Sequence, residues 1–497
     1  MRKFIIVLIV VALSFTLITT FLGCQDENSS STVGTMSELG YVDTEYVKTL
    51  SSIPKVSELG LPDDVLYNHD DSYSRFGLYL YTGTGFASVL EENFPFDDTK
   101  PCIIYIHGMG SNAIMSNYKT LHEQGYNVLA FNWGIFARES NLNMPKVAQK
   151  VWFYDGDRRY NDAEDSSLWH TCEDFKYSMV ECFIAYYTEM LNRFPNYSGS
   201  RITISGHSYG GMLLFGVTSY LTTAFKCNLL SAQYLPDQIV YLDPYLMKVS
   251  TTSLHIRWLG DIANPEKDGG ITYLATQAVK EARSLGIAQS LFFCGPGVAL
   301  PAKLQTPDLY AELSANLIYV DGDATDVCDR NMSESHNYAM KWPFFTTFTH
   351  KDLSAPDQIA YSIFNPHEQL YSRAGTNYKL EYNDTKNVYT DDTQASTNIE
   401  SAKISGFVYL DANANGVKDE RIGQHFSGAT VKITDKDGNE ILSTVTGING
   451  YYELEVGVGE YTVSVTAPDG YSLANSTANV VVTHDKQLFT NVWGITK

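Results

Sequence analysis

The pentapeptide Gly206-His207-Ser208-Tyr209-Gly210 (GHSYG) lies between a strand-like run and a helical run. RITIS at 201–205 predicts a short buried strand, and GMLLFGV at 211–217 opens an apolar helix. A G-x-S-x-G sequence in this context forms a tight, strained turn that lifts the serine hydroxyl clear of the sheet. The flanking glycines avoid collisions with neighbouring elements. The context favours a nucleophilic Ser208 over a plain turn.

From 45 to 375, strand-like and helical runs alternate, which predicts an α/β domain with a mostly parallel sheet. Strands of such a sheet are buried on both faces and read as short apolar runs. The predicted strands include 101–106, 127–132, 201–205, 238–242 and 316–320. Helices are predicted over 118–124 and 174–194.

A serine nucleophile needs a base to accept its proton and a carboxylate to orient that base. Asp243 is the first candidate carboxylate, because it ends the strand 238–242 and Pro244 cannot continue a central strand. It should lie at the carboxyl edge of the sheet, where sites of α/β proteins form. Asp323, in the VDGDATD run after 316–320, is the second candidate. Either aspartate could equally be a turn residue.

The base is expected after the acid, on a loop beyond the last strand and before a closing helix. His336 has this position, since NYAMKW at 337–342 begins a predicted helix. His255 is too close to the acid strand, and His350 and His367 follow the closing helix. The alternative for His336 is a solvated loop histidine without a role.

An ester oxygen that becomes an oxyanion needs hydrogen-bond donors already aimed at it. One predicted donor is the backbone N–H of Tyr209, next to the nucleophile. The second is the N–H of Met109, because the glycines of IHGMG at 106–110 let backbone amides face the site. These two amides form the predicted oxyanion hole.

The region 100–345 resembles the α/β-hydrolase lipases of the pancreatic type. The motifs that carry the resemblance occur in the family's order: IHGMG at 106–110, GYNVLAFNWG at 125–134, GHSYGG at 206–211, VYLDPY at 240–245 and SESHNYA at 333–339.

That resemblance implies Ser208 as nucleophile, Asp243 as acid, His336 as base, and Met109 and Tyr209 as oxyanion donors. It also implies a lipase or esterase, with phospholipase activity as a variant, that uses no cofactor for catalysis.

The chain departs from the family in an insertion at 136–171 and in a longer segment, including Cys227, before the acid. Residues 245–300 predict either a lid with an amphipathic helix at 271–285 or ordinary core packing. An open lid would present apolar surface to a lipid interface.

The N-terminus predicts a signal peptide over residues 1–23. Arg2 and Lys3 precede an apolar run from 4 to 22. The sequence around Cys24 resembles a bacterial lipoprotein signal, which implies cleavage before Cys24 and a lipid on its thiol. An uncleaved membrane anchor is the alternative. Residues 24–44 are polar and predict a tether.

Composition restricts the function classes. The net charge of −22 argues against nucleic-acid partners and against attraction to anionic lipid.

Six cysteines beyond Cys24 permit disulfides in an exported chain, with the pairing left open. They are Cys102, Cys172, Cys182, Cys227, Cys294 and Cys328.

After a predicted linker at 376–401, residues 402–497 predict a small all-β sandwich. The runs ISGFVYLDANANGVKDE, GATVKITDKDGNE and TGINGYYELEVGVGEYTVSV resemble the transthyretin-like SdrD B or Cna B modules of bacterial surface proteins. The resemblance implies a spacer or adhesion role, with contact to a cell surface or matrix.

In that family a D-x-N-x-N-G-x-x-D loop binds calcium. Asp411, Asn413, Asn415 and Asp419 match its ligands, and Gly416 matches its turn glycine. The twelfth position is isoleucine rather than a bidentate glutamate. The sequence leaves open a structural calcium site or a plain Asn/Asp turn.

Together these features predict a secreted or surface-anchored serine hydrolase of lipids or small esters. Two alternatives are a non-catalytic adhesion protein on a hydrolase scaffold, and a peptidase or amidase with the same triad.

Overall fold

The structure is a computed structural model, and the residues that it describes fall within Tyr46–Lys497. The described residues are 50–66, 76–109, 117–139, 144–154, 158–162, 167–197, 199, 201–246, 256, 258–259, 271–293, 306–322, 336, 370–371, 374–383, 388–391, 401–416, 418, 421, 425–447, 450–473, 475–484 and 488–497. The predicted signal peptide, the lipidated Cys24 and the tether lie outside them.

Twelve strands precede residue 400 in the described chain. They are β1 Gly77–Tyr81, β2 Phe86–Ser88, β3 Cys102–Ile106, β4 Asn127–Asn132, β5 Arg159–Asn161, β6 Trp169–Thr171, β7 Ile202–His207, β8 Gln238–Leu242, β9 Ala288–Phe293, β10 Ile318–Gly322, β11 Asn377–Asn383 and β12 Val388–Asp391. Ten of them form one sheet in the order β12-β11-β10-β9-β8-β7-β3-β4-β1-β2.

The seven strands from β11 to β4 in that order run parallel, while β12 and the β1–β2 pair add antiparallel edges. Strands β5 and β6 form a separate hairpin. Strands β3, β4, β7, β8 and β9 are buried throughout, as expected for a parallel sheet covered on both faces.

Seven α-helices accompany this sheet in the described residues. They are α1 Asp63–Leu66, α2 Tyr118–Glu123, α3 Met144–Trp152, α4 Met179–Arg193, α5 Tyr209–Lys226, α6 Ile271–Ser284 and α7 Pro307–Ala315. Short 3-10 helices occur at Val56–Glu58 and Ala232–Tyr234. Helix α4 begins with a capping box between Ser178 and Glu181, which satisfies otherwise unpaired N–H groups.

One prediction about a segment boundary is wrong. The predicted linker 376–401 contributes β11 and β12 to the sheet. Its NYKLEYN run carries an apolar or aromatic side chain at every second residue, which suits a strand, although its polarity predicted a linker.

Within the predicted lid segment 245–300, the described residues 271–293 form α6 and β9. Strand β9 is fully buried between β8 and β10, and α6 buries Ile271, Leu274 and Val279. Residues 271–293 therefore pack in the core, which is the alternative that the sequence left open beside a lid. The remaining residues of this segment, 247–255, 257, 260–270 and 294–300, lie outside the described residues.

The C-terminal region is a β-sandwich of two four-stranded sheets. Its strands are β13 Ala402–Leu410, β14 Thr430–Asp435, β15 Glu440–Val445, β16 Tyr451–Val456, β17 Gly459–Thr466, β18 Ser472–Leu473, β19 Thr477–Val482 and β20 Leu488–Thr496. The sheets have the orders β16-β13-β20-β18 and β15-β14-β17-β19. Their inner faces enclose an apolar core around Ile404, Val431 and Trp493.

A buried arginine joins the sandwich to the α/β domain. Arg421, between β13 and β14, donates from Nε to Asp237 Oδ2 at 3.1 Å. Its terminal nitrogens donate to the carbonyls of Gln233 at 2.9 Å and Leu235 at 2.7 Å. Asp237 Oδ2 also accepts the backbone N–H of Ile202 at 2.7 Å. One carboxylate therefore bonds the sandwich and the first residue of β7.

A second arginine contact lies at the end of α6. Arg283 donates to Glu453 Oε2 of the sandwich at 2.9 Å and to the carbonyl of Tyr371 at 2.9 Å. Its guanidinium lies 4.0 Å from the centre of the Tyr371 ring. Phe407 packs edge-on against the same ring at 5.2 Å. The sandwich is thus packed on the α/β domain rather than joined only through a chain connection.

The four described cysteines, Cys102, Cys172, Cys182 and Cys227, form no disulfide with one another. Cys294 and Cys328 lie outside the described residues. Among the helices that the structure describes, none is both long and apolar enough to cross a bilayer.

Candidate active site

Ser208 occupies a sharp turn between β7 and α5. Its φ of 58° and ψ of −121° are unusual for a residue with a side chain. Its N–H donates to Leu242 O at 3.0 Å, and its carbonyl accepts from Met212 N at 3.1 Å and Tyr245 N at 3.0 Å. These bonds hold the strained conformation in place.

The turn requires glycine at 210. A Cβ there would lie 2.2 Å from Ile106 O and 2.5 Å from His107 O. Both are backbone atoms, which cannot move aside as the end of a flexible side chain can. The G-x-S-x-G motif therefore packs its backbone directly against the end of β3. This contact brings Ser208 beside the loop that follows β3.

Gly108 in that loop touches the serine. A Cβ on Gly108 would lie 2.8 Å from Ser208 Cβ and 3.3 Å from Ser208 Oγ. Met109 follows it and is partly buried, while residues 110–116 lie outside the described residues. The structure therefore places the predicted oxyanion loop against the predicted nucleophile.

His107 fixes this loop. The backbone N–H of Trp133 donates to His107 Nε2 at 3.1 Å, so the ring proton is on Nδ1, which donates to Gly108 O at 2.8 Å. The Trp133 indole N–H donates to His107 O at 2.8 Å. Burial lowers the pKa of His107 to about 4, and the ring is neutral at neutral pH.

Asp243 ends β8 with a φ of 41° and is almost completely buried. Its N–H donates to Phe292 O of β9 at 2.6 Å. Its Oδ2 lies 2.5 Å from His336 Nδ1. The structure thus brings together an aspartate and a histidine that are 93 residues apart in the chain.

Asp323 and the other histidines considered, His255, His350 and His367, all lie outside the described residues. Tyr209, the predicted donor after the nucleophile, is buried with its ring stacked on Tyr245 at 4.8 Å.

His207 is a site residue that sequence reasoning did not single out. Its Nε2 lies 2.8 Å from His336 O, and the two rings are 4.3 Å apart. Burial, reinforced by His336, lowers the pKa of His207 to about 3. The available signal was a histidine next to the nucleophile, but its partner is 129 residues away and only the fold reveals it.

The candidate calcium loop is described in part. Asp411 Oδ1 accepts the N–H of Asn415 at 3.1 Å and Oδ2 accepts that of Gly416 at 2.9 Å. Asn413 Oδ1 accepts the Asn415 N–H at 3.1 Å as well. The loop therefore curls around the Asp411 carboxylate, whose oxygens retain lone pairs for a cation. Asp419 lies outside the described residues, so this geometry fits both calcium and a plain turn.

The parallel sheet, the strained turn at Ser208 and the carboxylate after the next strand define an α/β-hydrolase fold, followed by a β-sandwich. A family model described as the SdrD B-like domain matches residues 402–491. The sequence resemblance of the C-terminal region is therefore confirmed.

Two curated relatives each match less than a quarter of this chain. Serine-aspartate repeat-containing protein D of Staphylococcus aureus (strain Newman) is 29% identical over 126 residues, 24% of this chain and 10% of that protein. Serine-aspartate repeat-containing protein F of Staphylococcus epidermidis (strain ATCC 12228 / FDA PCI 1200) is 30% identical over 118 residues, 22% of this chain and 7% of that protein. The match therefore spans a tenth or less of these relatives.

Three solved structures are distantly similar. Est1E from Butyrivibrio proteoclasticus, with ferulic acid bound, has 13% identity and a TM-score of 0.26, covering 54% of this chain and 93% of that one. A putative dienelactone hydrolase from Klebsiella pneumoniae has 12% identity and a TM-score of 0.26, covering 49% and 85%. Acylaminoacyl peptidase from Pyrococcus horikoshii has 13% identity and a TM-score of 0.28, covering 56% and 40%.

Proposed function

We propose that this protein is a serine hydrolase that cleaves carboxylic esters, with Ser208 as nucleophile, His336 as base and Asp243 as the orienting acid. The observation that carries the proposal is the 2.5 Å contact between His336 Nδ1 and Asp243 Oδ2, at the end of the strand beside the Ser208 turn. A carboxylate oriented towards a histidine beside a strained serine turn is the arrangement that nucleophilic serine catalysis needs.

The tautomer of His336 follows from this contact. A carboxylate accepts, so His336 donates its proton from Nδ1 to Asp243, and Nε2 is left with a lone pair. That lone pair takes the Ser208 proton as Oγ attacks the ester carbonyl carbon. Asp243 then stabilises the imidazolium that forms, without itself becoming protonated.

The tetrahedral oxyanion requires donors on the side of the serine that faces the loop after β3. The packing of Gly108 against Ser208 supports the N–H of Met109 as one donor and that of Tyr209 as the other. Collapse of the intermediate passes the His336 proton to the leaving alcohol and leaves an acyl group on Ser208. Water, deprotonated by His336, then bonds to the acyl carbon. The second intermediate collapses as the bond to Ser208 Oγ breaks, Oγ takes the proton back from His336, and the carboxylic acid leaves.

We propose lipids or short acyl esters as substrates and a location at the bacterial surface, with a lipid on Cys24 as the membrane attachment. The SdrD B-like match supports the surface location, and the motif resemblance of the α/β domain supports the lipase or esterase class. A calcium ion at Asp411 would be structural and would take no part in ester cleavage.

The test is covalent labelling with a fluorophosphonate probe. Wild-type protein should be labelled, and Ser208→Ala should not be. Turnover is then compared across nitrophenyl esters from acetyl to oleoyl and the matching anilides. Equal labelling of both proteins would overturn the proposal. Hydrolysis of anilides but not esters would identify an amidase, and no turnover together with matrix binding would favour an adhesion protein.

A further inference from the structure

His336 has two attachments among the described residues. Its side chain bonds to Asp243 through Nδ1, and its backbone carbonyl lies 2.8 Å from His207 Nε2. A hydrogen bond at Nδ1 alone lets the imidazole swing about that contact. The backbone bond adds a second fixed point, which restricts where Nε2 of His336 can lie.

The direction of the second bond is determined by chemistry. A backbone carbonyl only accepts, so His207 must carry its proton on Nε2 and donate it. Because His207 is the last residue of β7 and adjoins Ser208, its ring is fixed relative to the nucleophile. The bond therefore ties the position of His336 to that of Ser208.

Packing adds to this restraint. The His207 ring lies 4.3 Å from the His336 ring, with the two planes inclined by 38°. The ring is buried, and its low pKa keeps it neutral at neutral pH. A charged ring at that distance would oppose the imidazolium that forms on His336 during the reaction. A neutral, donating histidine avoids this repulsion.

We propose that His207 is a positioning residue, which holds the His336 backbone so that its imidazole can receive the Ser208 proton. This inference rests on the proposed function. It assigns His207 no contact with substrate and no proton transfer of its own.

The test compares three variants of the full-length protein. His207→Phe keeps a packed ring without a donor, and His207→Gln keeps an amide N–H on a side chain of similar reach. His170→Phe is the control, because His170 is partly exposed on the β5–β6 hairpin. Active sites are counted by the nitrophenyl acetate burst, so that kcat refers to folded, competent enzyme.

We expect His207→Phe to lower kcat per active site by about 10- to 100-fold with KM within about 2-fold, since misplaced catalytic groups slow chemistry more than binding. His207→Gln should recover most of the loss, and His170→Phe should match the wild type. If His207→Phe does not fold, His207→Met replaces it as the variant without a donor.

Wild-type kcat per site in the variants without a donor would overturn the inference while leaving the proposed function intact. So would fewer active sites with unchanged kcat, because that result indicates only a structural role. A wild-type protein that neither labels nor turns over would overturn both proposals.

Discussion

Arg421 of the β-sandwich lies with its Nε 3.1 Å from Oδ2 of Asp237 in the α/β domain, and both side chains are buried. Burial alone would lower the pKa of Arg421, but Asp237 raises it above its usual value, so the guanidinium stays charged. Asp237 precedes β8 and bonds to the start of β7, the strands whose opposite ends carry Asp243 and Ser208. The sandwich therefore supplies the positive charge of Arg421, which pairs with the buried Asp237 carboxylate in the α/β domain.

Removing that charge should destabilise the whole protein. Arg421→Met removes the buried cation that pairs with the Asp237 carboxylate, which costs about 3–5 kcal/mol in the free energy of unfolding. Asp237→Asn in the same chain removes the negative charge and keeps an acceptor for Ile202, so the double variant should recover part of the loss. Urea unfolding measures both changes.

The control is Lys432→Met, which breaks an exposed pair with Glu440 and should cost less than about 1 kcal/mol in the free energy of unfolding. Additive effects of the two core substitutions would contradict the pairing.

Asp243→Asn should leave the fold intact and impair catalysis. The amide cannot orient His336 as the carboxylate does, so kcat should fall by about 10³- to 10⁴-fold while KM changes little. Ester turnover and fluorophosphonate labelling report the loss, and thermal unfolding confirms folding. Retention of kcat within about 10-fold would exclude Asp243 as the acid.

Gly108→Ala should block the site. The added Cβ would lie 2.8 Å from Ser208 Cβ, and the loop must move away from the nucleophile to relieve that contact. Loss of an aligned oxyanion donor lowers kcat by about 10²- to 10³-fold. Gly457→Ala is the matched control, because a Cβ there meets nothing within 4 Å. Similar labelling rates in both variants would show that this loop is not beside the reacting centre.

Acid should destabilise the fold through His107 and His207, whose pKa values are lowered to about 4 and about 3. Below the unfolded value of about 6.5, the unfolded chain binds protons that the folded chain excludes, so stability falls as pH falls. At a pH of about 5, each histidine should cost about 2 kcal/mol relative to neutral pH. Urea unfolding at the two pH values measures the change. His207→Gln should show a weaker pH dependence than wild type, and an unchanged dependence would refute the assignment.

Calcium should raise the unfolding temperature if the Asp411 loop binds it. At about 100 times the dissociation constant the ion adds about 2.7 kcal/mol of stability. Asp411→Ala should abolish the difference between calcium and EDTA. Asp435→Ala is the control, since Asp435 also caps a turn by accepting the N–H groups of Asp437 and Asn439. An equal response in both variants would indicate a site elsewhere, and no response in wild type would indicate a plain turn.

Much of the core was predictable because its signals are local. The apolar runs predicted β4 and β8 to the residue and β3 to within one residue. The glycines of GHSYG predicted the strained turn at Ser208, because only a residue without Cβ fits beside Ile106 O. Local steric requirements of this kind can be predicted from consecutive residues.

The rest depends on partners distant in the chain. Strand β9 was missed because the apolar part of AQSLFF is only three residues long, LFF, and does not distinguish a buried strand from other core structure. Strands β11 and β12 were read as a linker, because such polar runs are compatible with a sheet only when β10 pairs with β11 and β11 pairs with β12.

The sequence by itself determined the fold class, the nucleophile turn, the order of the candidate acid and base, and the C-terminal module, since each follows from neighbouring residues or from chain order. Only the tertiary structure decided that Asp243 and His336 meet, that His207 bonds to the His336 backbone, and that Arg421 enters the α/β domain. Those contacts join residues 93, 129 and 184 positions apart. Such contacts form only when the packed sheet brings distant segments to hydrogen-bonding distance, and no local pattern encodes that distance.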